Sequence, residues 1–142
     1  MGNKLIQPVL TQLKIIEGEK GAVYHALKST ESSFLNFGEA YFSFVNKGAI
    51  KGWKRHKKMT LNIIVPVGVI KFVVCHFVID KPVFSEYLLG PGKNYSRLTV
   101  PPGYWLAFEG LEDVNCLLNV ADMEHDKLEA DNLSLEVISY RW

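Results

Sequence analysis

Apolar residues along this chain come in short bursts, and within most bursts they alternate with polar ones. "LTQLKIIE", "AVYHALK", "EAYFSFVN", "AIKGWKRH", "TLNIIVPVG", "VIKFVVCHFVI", "VFSEYLLG", "SRLTV", "YWLAFEG" and "NCLLNVAD" are each rich in β-branched or aromatic residues. Such runs suit pleated, half-buried strands. Turn residues separate them: Gly18, Gly21, Asn46 to Gly48, Pro66 to Gly68, Pro82, Gly90 to Gly92, Pro101 to Gly103 and Asp113. About ten strands at short, regular spacing predict an all-β barrel or sandwich. No stretch carries a helical period over an ordinary helix length. "MEHDKLEADN", Met123 to Asn132, is charged and reads as a surface loop. Without an internal repeat, linker or low-complexity tract, residues 1–142 are expected to form one domain.

One element breaks the pattern. "IKGWKRHKKM", Ile50 to Met59, gathers five Lys or Arg residues and His56 immediately before the apolar run "LNIIVPVG". In a regular strand, Gly52, Lys54, His56 and Lys58 share one face, and Lys51, Trp53, Arg55 and Lys57 share the other. Both faces then carry cations. Water can cover one of them. The other is expected to line a wet cavity or a bound anion, because an unpaired buried cation is too unfavourable. A strand edge defended by lysines is the rival explanation. Trp53 and Gly52, and the apolar run that follows, are not what edge defence needs.

Composition narrows the function classes. The net charge is +1, so the positive charge is local, and a general nucleic-acid binder is disfavoured. A small nucleic-acid barrel using Lys51 to Lys58 with Trp53 as a stacking platform would want a second basic run, which the chain lacks. No apolar run approaches a membrane span, and "MGNKLIQPVL" lacks the apolar core of a signal peptide. A cytoplasmic protein is expected, with Cys75 and Cys116 as buried, reduced thiols. The four histidines, His25, His56, His76 and His125, do not pair at strand spacing, so no metal site is expected. Neither a G-x-S-x-G element nor a phosphate-binding Gly loop is present.

The order of "AYFSFVNKGAIKGWKRHKKMTLNIIVPVGVIKFVV", "KNYSRLTVPPGYWLAFEGL", "LLNVADMEHD" and the ending "ISYRW" carries a resemblance. It resembles the cupin-fold deoxysugar-nucleotide enzymes typified by dTDP-4-dehydrorhamnose 3,5-epimerase, over roughly residues 37–142. Those enzymes show Arg-Gly and a His-containing segment, a strand reading into "IPPGFAHGF", a "DYYDP"-like segment and an "I-x-W" ending. Here Lys51-Gly52-Trp53-Lys54 stands for Arg-Gly-x-His, Leu106 for the His of "FAHGF", and Met123 and Glu124 for the tyrosine of "DYYDP". The related nucleotide-sugar 3,4-ketoisomerases carry "RG-G-H-A-H-K". Laid ungapped on "KGWKRHK", the second His of that motif falls on His56 and the first on Lys54.

The resemblance implies a jelly-roll cupin and a cofactor-independent isomerase acting on a dTDP-linked 4-keto-6-deoxysugar. It also implies a homodimer, and the apolar N-terminal stretch "KLIQPVLTQLKIIE" suits addition to a partner's sheet. In such chemistry a base removes a proton next to a ketone, and the proton returns elsewhere or on the opposite face. His56 is the expected base, with Lys54 near the oxyanion and Tyr41 as a phenolic partner. Lys51, Arg55 or Lys57 is expected to meet the diphosphate, with Lys58 joining Lys54 near the oxyanion and Asn62 donating a hydrogen bond. One of Tyr104 and Trp105 is expected to face the cavity and stack on a ring, and Trp53 to be among the residues that touch the substrate. A non-catalytic sugar-nucleotide binder is the alternative, since the usual His and Tyr are replaced.

Overall fold

The computed structural model describes residues 5–142. Among them are twelve strands and no helix. They are β1 (Val9–Gln12), β2 (Ile15–Ile16), β3 (Val23–Tyr24), β4 (Glu39–Phe44), β5 (Ile50–His56) and β6 (Leu61–Val67), followed by β7 (Ile70–Val78), β8 (Lys81–Leu89), β9 (Ser96–Val100), β10 (Trp105–Gly110), β11 (Cys116–Ala121) and β12 (Ala130–Asn132). Two five-stranded antiparallel sheets form, in the orders β1-β9-β6-β11-β4 and β12-β5-β10-β7-β8; β2 and β3 make a separate two-stranded ladder. This is the jelly-roll architecture that the resemblance implies, within the all-β class that the strand pattern predicts. The first burst divides into β1 and β2. The stretch read as a loop, Met123 to Asn132, ends in a strand, because Ala130 to Asn132 pair with Lys54 to His56. Within this chain β1 joins the molecule's own sheet, pairing with β9.

The sheets face each other over a core that includes Leu61, Ile63, Val65, Phe72, Val74 and Leu98. Alternation produces it: odd positions of β6 and even positions of β7 point inward. Each fully buried side chain of this kind contributes about 1.5–3 kcal/mol. Chain crossing between the sheets needs Gly68, whose φ is +82° and whose Cβ would stand 2.2 Å from the Val114 carbonyl oxygen. Asn115 ties the same corner, accepting from the N–H of Val69 and Glu112 and donating to the carbonyls of Val45 and Glu112.

A second apolar cluster lies behind the other sheet. Trp53, Val73, Cys75, Trp105, Ala107 and Ile138 are buried there, with Tyr140 and Trp142 of the C-terminal tail packed over them. Cys75 and Cys116 are buried and unpaired, as expected, and burial pushes both thiols up.

β5 carries the irregularity that positions the site. Leu106 pairs with Lys54 and Phe108 with Lys51, so Gly52 and Trp53 together oppose the single residue Ala107. This is a β-bulge, and it shifts the strand's alternation by one. Gly52 permits it: φ is +149°, and a Cβ there would lie 2.4 Å from the Ala107 Cβ. As a result Lys51 joins Lys54 and His56 on the cavity side, while Trp53 turns into the second cluster.

Candidate active site

A cavity of about 310 Å³ opens between the sheets. Its floor is apolar, with Leu61, Ile63, Leu106, Phe108 and Leu117. Tyr41 and Ser43 of β4, Lys51, Lys54 and His56 of β5, and Tyr104 and Asn119 supply its polar wall. Apolar lining with a few convergent polar groups suits a small organic ligand.

His56 stands where this cavity meets two shallower hollows. Its Nδ1 lies 2.6 Å from Oε1 of Glu129, and the two side chains are 13 % and 3 % exposed. The other carboxylate oxygen of Glu129 accepts from the backbone N–H groups of Lys58 and Met59, at 2.9 and 2.8 Å. Burial pushes the Glu129 carboxyl up, but the hydrogen bonds with His56 and with those two N–H groups outweigh it and hold the group below the ordinary range. An ionised carboxylate only accepts, so Nδ1 of His56 is the donor. The neutral imidazole therefore keeps its lone pair on Nε2, the geometry of an oriented general base.

Asp122 sits close behind this pair. Its carboxylate accepts from the Thr60 N–H at 2.8 Å. Burial, reinforced by the nearby charge of Glu129, raises its carboxyl against the opposing pull of the Thr60 N–H. Among the described residues no group of three or more His, Cys, Asp or Glu side chains converges to hold a metal ion.

The sequence-predicted residues divide cleanly. His56, Lys54, Tyr41, Lys51 and Tyr104 meet at the cavity. Lys54 forms no ion pair among the described residues, whereas Lys51 donates to Ser43 Oγ and the Phe44 carbonyl at 3.1 and 2.8 Å. Tyr104 donates its hydroxyl to the Ile6 carbonyl at 2.8 Å.

The other four do not offer their side chains to it. Trp53 borders the cavity at the bulge, but its indole is 1 % exposed, packs beside Phe84 and Trp142, and donates from Nε1 to the Leu135 carbonyl. It is a wall residue, not a stacking platform. Arg55 falls on the outer side of β5, paired with Asp131 at 3.0 Å and lying over Trp105. Lys58 follows the end of β5, is exposed, and offers Glu129 its backbone N–H instead of a cation to the cavity. Asn62 faces outward from β6. It is buried, donating to the Ser33 carbonyl and accepting from Thr99 Oγ1, and so has both ends of its amide engaged.

Glu129 is the partner that sequence reasoning missed. It lies 73 residues from His56 in a charged stretch, and only the pairing of β12 with β5 brings it there.

No protein-family model matches the chain, and no curated protein matches it in sequence. Solved structures do. The dTDP sugar isomerase from Desulfovibrio desulfuricans G20 is 32 % identical, with a TM-score of 0.85, over 91 % of this chain and 85 % of that one. The chain belongs to the dTDP-sugar isomerase family. Two further structures share the fold of this family member. The dTDP-4-dehydrorhamnose 3,5-epimerase from Sulfolobus tokodaii matches at a TM-score of 0.81 and 22 % identity, over 97 % of this chain and 83 % of that one. A sugar 3,4-ketoisomerase from Thermoanaerobacterium thermosaccharolyticum, solved in complex with TDP, matches at 0.72 and 20 %, over 89 % and 88 %. His56, Lys54 and Tyr41 thus lie in an enzyme fold.

Proposed function

We propose that the protein epimerises a dTDP-linked 4-keto-6-deoxysugar. The observation that carries the reading is the His56–Glu129 pair, with His56 lining a cavity of apolar floor and polar wall, in a member of the dTDP-sugar isomerase family. Nε2 of His56 takes the proton from a carbon next to the ketone, and the electron pair moves onto the ketone oxygen. Lys54, with Lys51 once released from β4, stabilises the resulting oxyanion. The enediolate then regains a proton on the opposite face of the same carbon, with Tyr41 as the phenolic donor across the cavity. Glu129 keeps the imidazole in the productive tautomer and stabilises its cationic form. No metal or redox cofactor enters these steps.

A 3,4-ketoisomerase is the second reading. It is favoured by the ungapped placement of His56 on a ketoisomerase histidine. The first step is the same. The proton then returns to C4 while the C3 hydroxyl gives up its proton and O4 gains one, so that the ketone moves to C3. One experiment separates these from a non-catalytic binder: incubation with dTDP-4-keto-6-deoxyglucose in heavy water, followed by NMR. Deuterium at C3 or C5 with inverted configuration supports the epimerase. Deuterium at C4 of a 3-keto product supports the ketoisomerase. Binding without exchange sinks both. Loss of exchange in His56→Asn assigns the base.

The same proposal extends to setting. The protein acts as one domain and a homodimer in the cytoplasm, supplying a deoxysugar for cell-surface polysaccharide such as lipopolysaccharide. The two unpaired, buried thiols agree with a reducing compartment, and no described helix is long and apolar enough to cross a membrane. Exposed Phe42 and Phe44 on the edge strand β4 are apolar surface that a second copy would cover; sedimentation of the purified chain tests that assembly.

A further inference from the structure

β11 presents three residues to the space between the sheets. Leu117 and Ala121 belong to the apolar core. Asn119, between them, is 1 % exposed, lines the cavity, and is paired across the ladder with Ile63. Its Nδ2 donates to the Tyr41 hydroxyl at 3.1 Å. Its Oδ1 is shielded from solvent and accepts no hydrogen bond from any described residue. A buried acceptor left unpaired destabilises a fold, and a Leu or Val would fill the same place without that penalty. The amide is therefore unexplained by folding.

The cavity's chemistry says what it suits. The β5 side offers cations, Lys51 and Lys54, and the imidazole of His56. Those groups fit an oxyanion or a phosphate. Asn119 and Tyr41 offer something different: an uncharged acceptor beside an uncharged donor. The Tyr41 oxygen already accepts from Asn119, so its own proton is free for a ligand. A hydroxyl group both donates and accepts, and matches this pair. Exchanging the amide oxygen and nitrogen leaves the match intact. Tyr41 then donates to Oδ1, Nδ2 is the free donor, and the phenolic oxygen is the free acceptor.

We propose that Asn119 determines sugar specificity by holding the Tyr41 hydroxyl and pairing with one ring hydroxyl of the bound sugar. This rests on the reading of the cavity as the sugar site of a dTDP-linked sugar. A site built around a hydroxyl rejects a ligand that lacks it, because a buried polar group is then stranded. Asn119 accordingly separates hexoses by where they carry hydroxyls, while His56 acts on the carbon next to the ketone.

The test uses dTDP and dTDP-quinovose, a 6-deoxyglucose nucleotide whose C4 hydroxyl replaces the ketone, so that it binds without reacting. Calorimetric titration of the wild type gives the increment in affinity that the sugar adds to dTDP. In Asn119→Leu that increment is expected to fall roughly 10- to 100-fold, with the melting temperature at or above that of the wild type because the unpaired amide is gone. Asn119→Val, suited to a strand, serves if the Leu variant does not fold. On the wild type, either the 2-deoxy or the 3-deoxy analogue of dTDP-quinovose should show the same loss, with no further loss on the variant. An unchanged sugar increment in a folded variant overturns the proposal while leaving the dTDP-sugar reading in place. If dTDP itself fails to bind the wild type, the reading of the cavity falls and takes this proposal with it.

Discussion

Replacing Glu129 by Gln tests the core of the mechanism, because it changes almost nothing except which nitrogen of His56 carries the proton. Gln has nearly the same volume. Its carbonyl oxygen can keep the hydrogen bonds from the Lys58 and Met59 N–H groups, now made at 2.9 and 2.8 Å. The amide NH₂ is then left facing Nδ1 of His56, where the carboxylate oxygen now stands at 2.6 Å. An NH₂ group only donates, so Nδ1 must accept, and the neutral imidazole carries its proton on Nε2. The base is disarmed without being moved. Loss of an oriented base in this way lowers kcat by about 10²- to 10⁴-fold, or roughly 3–5 kcal/mol of barrier. The assay is the rate of deuterium incorporation from heavy water, read by NMR at saturating dTDP-4-keto-6-deoxyglucose, with unfolding followed in parallel.

Glu129→Ala supplies the contrast, since it strands the buried Met59 N–H at about 1–3 kcal/mol and leaves the part-buried Lys58 N–H without its partner, and should lower stability as well as activity. Acid unfolding adds a second readout. The Glu129 carboxyl is held below its ordinary value of 4.5. Its contribution to stability is therefore full above that pH and is lost as the pH falls through the lower folded-state value. Glu129→Gln should remove that part of the acid dependence. Wild-type exchange in a folded Glu129→Gln protein would refute the tautomer argument.

Two further outcomes are expected. Asp122→Asn keeps an acceptor for the Thr60 N–H but removes a half-buried charge beside Glu129. Because the Asp122 carboxyl is raised, the wild type loses stability as the pH rises through the folded-state value. The variant should lack that decline and match or exceed the wild type at neutral pH in thermal unfolding; a fall of several degrees would contradict this. Gly52→Ala forces a Cβ to within 2.4 Å of the Ala107 Cβ at φ +149°. It should destabilise by at least about 1–3 kcal/mol and weaken exchange through displacement of Lys51 and Lys54, whereas unaltered urea unfolding would show that the bulge tolerates a side chain.

The strands were legible because their bursts follow the pleat, and β6, buried on both faces, reads as the near-continuous run "LNIIVPV". The basic stretch was rightly expected to meet a cavity. Its faces were not, because the alternation rule assumes an unbroken period of two, and the bulge opposite Ala107 moves Lys51 to the side of Lys54 and His56. A glycine inside a strand pattern was the available warning. Asn62 follows the same simple rule correctly, and that is why it points away: it shares a face with Ile64, opposite to Leu61 and Ile63. Glu129 had no local signal at all. Its carboxylate resembles its charged neighbours until β12 docks on β5 and two N–H groups close around it.

The rear cluster has a practical consequence. All three tryptophans of the chain, Trp53, Trp105 and Trp142, gather there, and Trp53 also borders the cavity at the bulge. Their emission watches the back of the wall. The Trp53 indole at the bulge is 1 % exposed, so a fluorescence change on titration would report movement of the bulge or of β5 and β10, and a silent titration would mean a rigid wall, not an empty site.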